Sequence, residues 1–116
     1  MKRLLFLLAL VSTVAAAEYS VDISDFVFDP VTLTIMEGDT VTWTNLDQVP
    51  HTATADDATW DSGTLNHGES WSHTFDASGT WDYHCTFHPM MTGTVVVEPQ
   101  SGAENGSWGE IKGLFN

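Results

Sequence analysis

The chain has 116 residues, which is enough for one compact domain with a single hydrophobic core and too few for two. Sixteen acidic residues stand against three lysines and arginines, and the formal net charge is −13. Such a surface repels nucleic acid and anionic lipid, which argues against both as partners and favours basic ones. Solubility in a saline habitat explains the acidity equally well, because net charge bears on association and not on fold.

The first residues have the pattern of a secretory signal peptide. Positive charge at residues 1–3 precedes an apolar run at 4–11, and small residues at 15–17 offer a cleavage site. An uncleaved membrane anchor is the alternative, but the apolar run is short for a membrane span. We therefore predict a signal peptide at 1–17, followed by a folded domain at 18–98. The predicted location is the periplasm or another exported compartment, without membrane insertion after cleavage.

Apolar and polar residues alternate along most of the region that follows. Val31, Leu33 and Ile35 alternate with threonines, which is typical of a half-buried strand. Residues 37–39 have the composition of a tight hairpin turn between that strand and the next. The predicted strands are 20–23, 31–35, 41–44, 70–75, 80–85 and 93–98. Short strands with regular turns indicate an all-β fold, a two-sheet antiparallel β-sandwich.

Two stretches lack this alternation. Residues 55–65 are less regular and predict a long connection or a short strand. Residues 99–106 contain proline, glycine and serine, so that 99–116 is predicted to be a flexible C-terminal tail. Neither stretch, nor any other, has a convincing helical period.

Soft metal-binding side chains are concentrated in residues 85–91. Cys85 is the only cysteine, and His88 and Met91 follow it at three-residue intervals. A blue-copper electron-transfer site needs one thiolate, two imidazoles and a weak axial thioether. A single cysteine cannot form an internal disulfide, and a bound metal would occupy it in an oxidising compartment. An inert buried cysteine is the alternative, which the spacing to histidine and methionine disfavours.

The second imidazole has to come from another part of the chain. His51 is the best supplier, because it follows a polar turn at the end of a predicted strand. His67 lies in a turn beside glycine and is expected to face solvent, whereas His73 is in phase with apolar neighbours and is expected to be hydrogen-bonded in the interior. Strand alternation turns His84 away from the face that carries Cys85.

Two neighbouring methionines compete for the axial position. Met91 is six residues after Cys85 and three after His88, and this spacing favours it over Met90. Met90 is then expected to belong to an apolar rim.

Taken together, residues 81–98 resemble the cupredoxins, the blue copper proteins, and within them the plastocyanin- and amicyanin-like group. The resemblance extends back through 41–45 and 49–51 and covers nearly all of 18–98. Cysteine, histidine and methionine at successive three-residue intervals are typical of the amicyanin-like sites, and the motif is specific.

The resemblance implies a Greek-key β-sandwich that binds one type 1 copper through His51, Cys85, His88 and Met91. The metal is expected to cycle between Cu(II) and Cu(I) and to carry single electrons between protein redox partners, such as a c-type cytochrome or a periplasmic dehydrogenase. The protein is expected to be a monomer and not an enzyme. In the family, the ring edge of the histidine that corresponds to His88 is the electron port.

An apolar patch of Pro50, Pro89 and Met90 is expected around this port. Two positions depart from the family pattern. Thr52 stands where amicyanin-like proteins have an asparagine that braces the copper loop, and Phe87 replaces the usual proline between cysteine and histidine.

Two other functions are compatible with parts of this sequence. In copper nitrite reductases a histidine directly before the copper cysteine binds a second copper, and His84 precedes Cys85 here. Such a catalytic site needs further imidazoles from a second domain or subunit. The other rival is a non-redox periplasmic copper carrier or sequestration protein, for which a partly buried thiolate is poorly suited.

Overall fold

Eight strands are present in the computed structural model, which describes residues 15–100. They are Glu18–Ser24 (β1), Val27–Asp29 (β2), Thr32–Met36 (β3), Thr40–Asn45 (β4), Thr54–Ala55 (β5), Ser70–Thr74 (β6), Gly79–His84 (β7) and Thr92–Glu98 (β8). The six predicted strands are all present, with ends within two residues of those predicted. Strand alternation therefore located most of the elements.

The strands form two four-stranded sheets, in the orders β2-β1-β4-β6 and β3-β8-β7-β5. The prediction of a β-sandwich is confirmed, but its purely antiparallel character is wrong. β1 pairs with β4 in parallel, and β3 pairs with β8 in parallel. Each parallel pair joins strands that are far apart in the chain, since a parallel pair requires a crossover and cannot be closed by a tight turn.

The predicted hairpin at 37–39 is also wrong. β3 and β4 belong to different sheets, so the turn carries the chain from one layer of the sandwich to the other. The Asp39 side chain accepts a hydrogen bond from the Met36 amide at 3.0 Å, and the Asp39 amide donates to the Met36 carbonyl at 3.0 Å. Gly38 has a φ of 93°, a left-handed value that favours glycine.

The core lies between the two sheets and follows the predicted alternation. Val41, Trp43 and Asn45 are buried on β4, whereas Thr42 and Thr44 are partly exposed on its other face. From the opposite sheet, Tyr83 packs edge-on against the Trp43 ring with the ring centroids 5.4 Å apart. Cys85 is fully buried directly after β7, as the alternation predicts.

The signal peptide predicted at 1–17 and the tail predicted at 99–116 fall mostly outside the described residues, and both stay predictions. Across residues 15–100, there is no helix with the length and hydropathy that a membrane span requires.

Candidate metal centre

Three predicted ligand side chains, far apart in sequence, come together at one end of the sandwich. The Cys85 Sγ atom lies 3.6 Å from His51 Nδ1 and 3.6 Å from His88 Nδ1. All three donor atoms lie within 4.8 Å of one another. His51 and Cys85 are fully buried, and His88 is partly exposed. This is a compact set of one sulfur and two nitrogen donors with a single ligand near solvent.

The loop after β7 places two of these donors through its own backbone hydrogen bonds. The His88 amide donates to the Cys85 carbonyl at 3.2 Å, and the Met91 amide donates to the His88 carbonyl at 2.8 Å. The Cys85 amide in turn donates to the Met91 carbonyl at 3.1 Å. Two successive turns closed by a third bond make this loop rigid, although Phe87 replaces the usual proline.

His51 is held from both its backbone and its ring. Its amide and carbonyl both pair with Leu65, at 3.0 and 2.8 Å. Its Nε2 atom lies 2.8 Å from a carboxylate oxygen of Asp47. A proton on Nε2 shared with this carboxylate leaves the lone pair on Nδ1, which is the atom that faces Cys85.

Burial distinguishes the two methionines. Met91 is 6% exposed and lies in the same short loop as Cys85 and His88, whereas Met90 is 94% exposed. A buried thioether has the environment expected of an axial ligand, and an exposed one does not. The preference for Met91 stays a prediction, now supported by its burial.

Thr52 performs the bracing role that the resemblance assigns to an asparagine. Its amide lies 3.4 Å from the Cys85 sulfur and donates to it. Its hydroxyl accepts a hydrogen bond from the Thr86 amide at 2.8 Å and lies 2.9 Å from the Thr54 hydroxyl. Thr52 thus stabilises negative charge on the sulfur and ties the loop after β7 to the loop that carries His51.

The geometry of the donors fits a metal ion. Metal–sulfur and metal–nitrogen bonds are about 2.3 and 2.0 Å in zinc–thiolate and zinc–imidazole sites. The sulfur–nitrogen separations of 3.6 Å are short enough for Cys85, His51 and His88 to hold one ion of this kind together. A thiolate with two imidazoles in such an arrangement is the donor set of a type 1 copper.

A shallow apolar groove of about 450 Å³ lies over the partly exposed His88. The residues that line it are Phe26, Phe87, His88, Pro89, Met90 and Met91. Pro89 and Met90 belong to it as predicted, whereas Pro50 is exposed but is not part of the lining. The ring of Phe26 stands edge-on to His88, with centroids 4.9 Å apart, and to His51, with centroids 5.1 Å apart.

The remaining histidines lie outside this donor set. His67 is exposed, as predicted, and its ring is 3.0 Å from the Asp47 carbonyl. His84 points outward and pairs with Asp56 at 2.6 Å. His73 is half-buried and stacks on Trp60 and on Trp71, and its ring makes no hydrogen bond within residues 15–100, although its phase in the strand predicted one.

Sequence reasoning missed Asp47 and Phe26. Asp47 precedes His51 by four residues in the polar turn already noted, and an acidic residue close to a candidate histidine ligand was a usable signal. No sequence signal pointed to Phe26, because it lies just before β2, a strand that was not predicted, and reaches the site only through the three-dimensional fold.

A two-sheet β-sandwich with a buried thiolate and two imidazoles at one end defines the cupredoxin class, copper proteins of electron transfer. Residues 15–98 match the family model of copper binding proteins, plastocyanin/azurin family. The chain belongs to this family, and its cofactor is one type 1 copper.

Individual relatives agree with this assignment. Amicyanin of Paracoccus denitrificans is 38% identical over 97 residues, a match that covers 75% of this chain and 74% of that protein. The chloroplastic plastocyanin of Tetradesmus obliquus is 36% identical over 106 residues and covers 80% of this chain and 73% of that protein. A purple cupredoxin from Nitrosopumilus maritimus superposes with a TM-score of 0.65 at 33% identity, covering 68% of this chain and 98% of that one.

Proposed function

We propose that the protein is an exported, periplasmic electron carrier whose copper is bound by His51, Cys85, His88 and Met91. The observation that carries the proposal is the convergence of the Cys85 sulfur with two imidazole nitrogens, each 3.6 Å away, at a site with one partly exposed ligand. Bound copper supplies one-electron chemistry, cycling between Cu(II) and Cu(I).

The side chains around the site support rapid transfer of single electrons. The loop after β7 and the Thr52 hydrogen bonds fix the donor positions, so little rearrangement accompanies a change in charge at the centre. The Thr52 amide stabilises the Cys85 thiolate. The partly exposed His88 ring gives an electron the shortest way to the surface, and the groove around it excludes water from the contact with a partner.

The groove also supports a transient association with protein redox partners. A small apolar patch suits the weak, short-lived encounters of electron carriers, whose interfaces lie at the low end of the size range. The acidic surface favours a partner with a basic face, as a c-type cytochrome or a periplasmic dehydrogenase could present. A monomer leaves the groove free for this use.

Titration of the purified protein with Cu(II), followed by visible absorption, tests the proposal. We expect an intense thiolate-to-copper band that saturates at one copper per chain and disappears in Cys85→Ser. The matched control is His84→Gln, which alters the outward neighbour of Cys85 and is expected to keep both the band and the stoichiometry. A colourless complex that loses copper quickly to a chelator would replace the proposal with the copper-carrier function, and two coppers per chain would favour an enzyme.

A further inference from the structure

One carboxylate next to the site makes three hydrogen bonds to two different parts of the protein. Asp47 Oδ2 lies 2.8 Å from His51 Nε2 and accepts a bond from the Phe26 amide at 3.0 Å. Asp47 Oδ1 accepts a bond from the Asp25 amide at 2.7 Å. The Asp47 side chain is only 13% exposed. The backbone of Asp47 is also fixed, because its amide donates a hydrogen bond to the Asn45 side-chain oxygen at 2.9 Å.

The turn between β1 and β2 depends on this carboxylate. Asp25 and Phe26 have φ values of 54° and 61°, a left-handed conformation that is uncommon for residues other than glycine. Both backbone amides of the turn donate hydrogen bonds to the Asp47 carboxylate, so neither is left without an acceptor. The same turn places the Phe26 ring edge-on against both His51 and His88. Asp47 therefore stabilises the turn that carries this ring.

The carboxylate also acts on His51 electronically. A carboxylate that accepts a hydrogen bond from the Nε2–H group increases electron donation from Nδ1 to a bound metal. His51 is fully buried, so the interaction is weakly screened by solvent. Greater donation stabilises Cu(II) relative to Cu(I) and lowers the reduction potential.

We propose that Asp47 is a positioning residue of the copper centre, which lowers the reduction potential through His51 and holds Phe26 against the two imidazoles. The proposal rests on the proposed ligand set. Through this one carboxylate, the β1–β2 turn is coupled to His51, which is remote from the turn in sequence.

Asp47→Asn tests the electronic part. The asparagine side chain has one acceptor oxygen, and its NH₂ group would face an N–H donor. It therefore cannot accept the three hydrogen bonds that the Asp47 carboxylate accepts. We expect the equilibrium constant for reduction of Cu(II) to Cu(I) to increase about tenfold over the wild type. For a one-electron couple, this corresponds to an increase in the reduction potential of about 59 mV. The matched control is Asp25→Asn. It removes the same charge from an exposed side chain of the same turn and should move the potential much less.

A second measurement needs no variant. In the metal-free and Cu(I) forms of the full chain, nitrogen–proton NMR should show a His51 Nε2 proton that exchanges slowly with water. A rapidly exchanging or absent Nε2 proton in the wild type would overturn the proposal even if Asp47→Asn does not fold.

The two variants also separate this proposal from the proposed function. Equal potential shifts in Asp47→Asn and Asp25→Asn would reduce the effect to long-range charge and refute a positioning role. A wild-type protein without a copper redox couple would refute the proposed function itself, a result that is visible before any variant is compared.

Discussion

Adjacent methionines with opposite exposure provide a direct test of the axial position. Met91→Leu removes the thioether with little change in volume, a type of swap that usually costs less than about 1.5 kcal/mol of stability. If Met91 is the axial ligand, the visible band should shift and the reduction potential should rise, because a donor is lost. The spectrum and the potential are the measurements.

Met90→Leu is the matched control for this experiment, since Met90 is 94% exposed. It should leave the spectrum and the potential of the wild type in place. An unchanged spectrum in Met91→Leu, or a shifted one in Met90→Leu, would contradict the assignment.

His73 makes the folding stability depend on pH. Burial against the rings of Trp60 and Trp71 lowers the pKa of His73 from 6.5, and the nearby Asp76 partly opposes this. Between the lowered folded value and the ordinary unfolded value, the unfolded chain binds more protons, so stability rises with pH in the window just below 6.5. Replacing the imidazole removes this contribution.

The check compares thermal unfolding at mildly acidic and neutral pH. In His73→Phe the loss of melting temperature on acidification should be smaller than in the wild type. Asp76→Asn removes the opposing carboxylate and should enlarge that loss. Identical pH dependence in the wild type and His73→Phe would show that His73 titrates normally.

At the residue scale, the spacing of residues along the chain predicted the candidate ligands that lie in one loop. It did not predict the residues that reach the site through tertiary contacts. Cys85, His88 and Met91 lie in one loop, and backbone hydrogen bonds within this loop bring them together. Their spacing in the sequence was therefore enough to predict that they are neighbours. His51 was found by elimination among the histidines. Asp47 and Phe26 act through tertiary contacts with His51, and no periodicity in the sequence encodes those contacts.

At the element scale, β7 and β8 approach each other closely at one of their six paired positions. Tyr83 pairs with Gly93, and the phenol ring lies over the glycine. A Cβ atom at Gly93 would lie 2.5 Å from the Tyr83 hydroxyl oxygen and 2.8 Å from Cε1. Tyr83 is buried between the rings of Trp43 and Phe28, so it has little room to move.

Gly93→Ala should therefore destabilise the fold by about 1–3 kcal/mol, the usual cost of overpacking a core. Denaturant unfolding of the metal-free protein measures this. Thr92→Ser, at the exposed neighbouring position of β8, is the control and should stay close to the wild type. A Gly93→Ala variant as stable as the control would mean that Tyr83 can relax away from the strand.

Strand faces were predictable, but strand partners were not. Alternation fixes which side chains point inward, and it is the same whether the neighbouring strand runs parallel or antiparallel. The parallel pairs β1–β4 and β3–β8 were missed for this reason. β2 was missed because it has three residues and follows a turn without glycine, which Asp47 stabilises from outside the hairpin.

At the scale of the whole molecule, the described domain contains acidic residues but no lysine or arginine between positions 15 and 100. Composition predicted this excess of negative charge without indicating where it lies. The groove over His88 is lined by apolar side chains and one imidazole, so that the proposed electron port is a patch without carboxylates on an acidic protein. Charge should therefore govern how fast partners arrive, and apolar contact should govern how they dock.

Small redox reagents of opposite charge can test this division without an identified partner. The reduced protein should be oxidised faster by a cationic cobalt complex at low ionic strength, and added salt should slow this reaction, since the screening length falls from about 30 Å at 0.01 M to about 3 Å at 1 M. Oxidation by anionic ferricyanide should accelerate with salt. The same salt dependence for both reagents would show that the acidic residues lie too far from the port to steer an approaching molecule, and the acidity would then serve solubility alone.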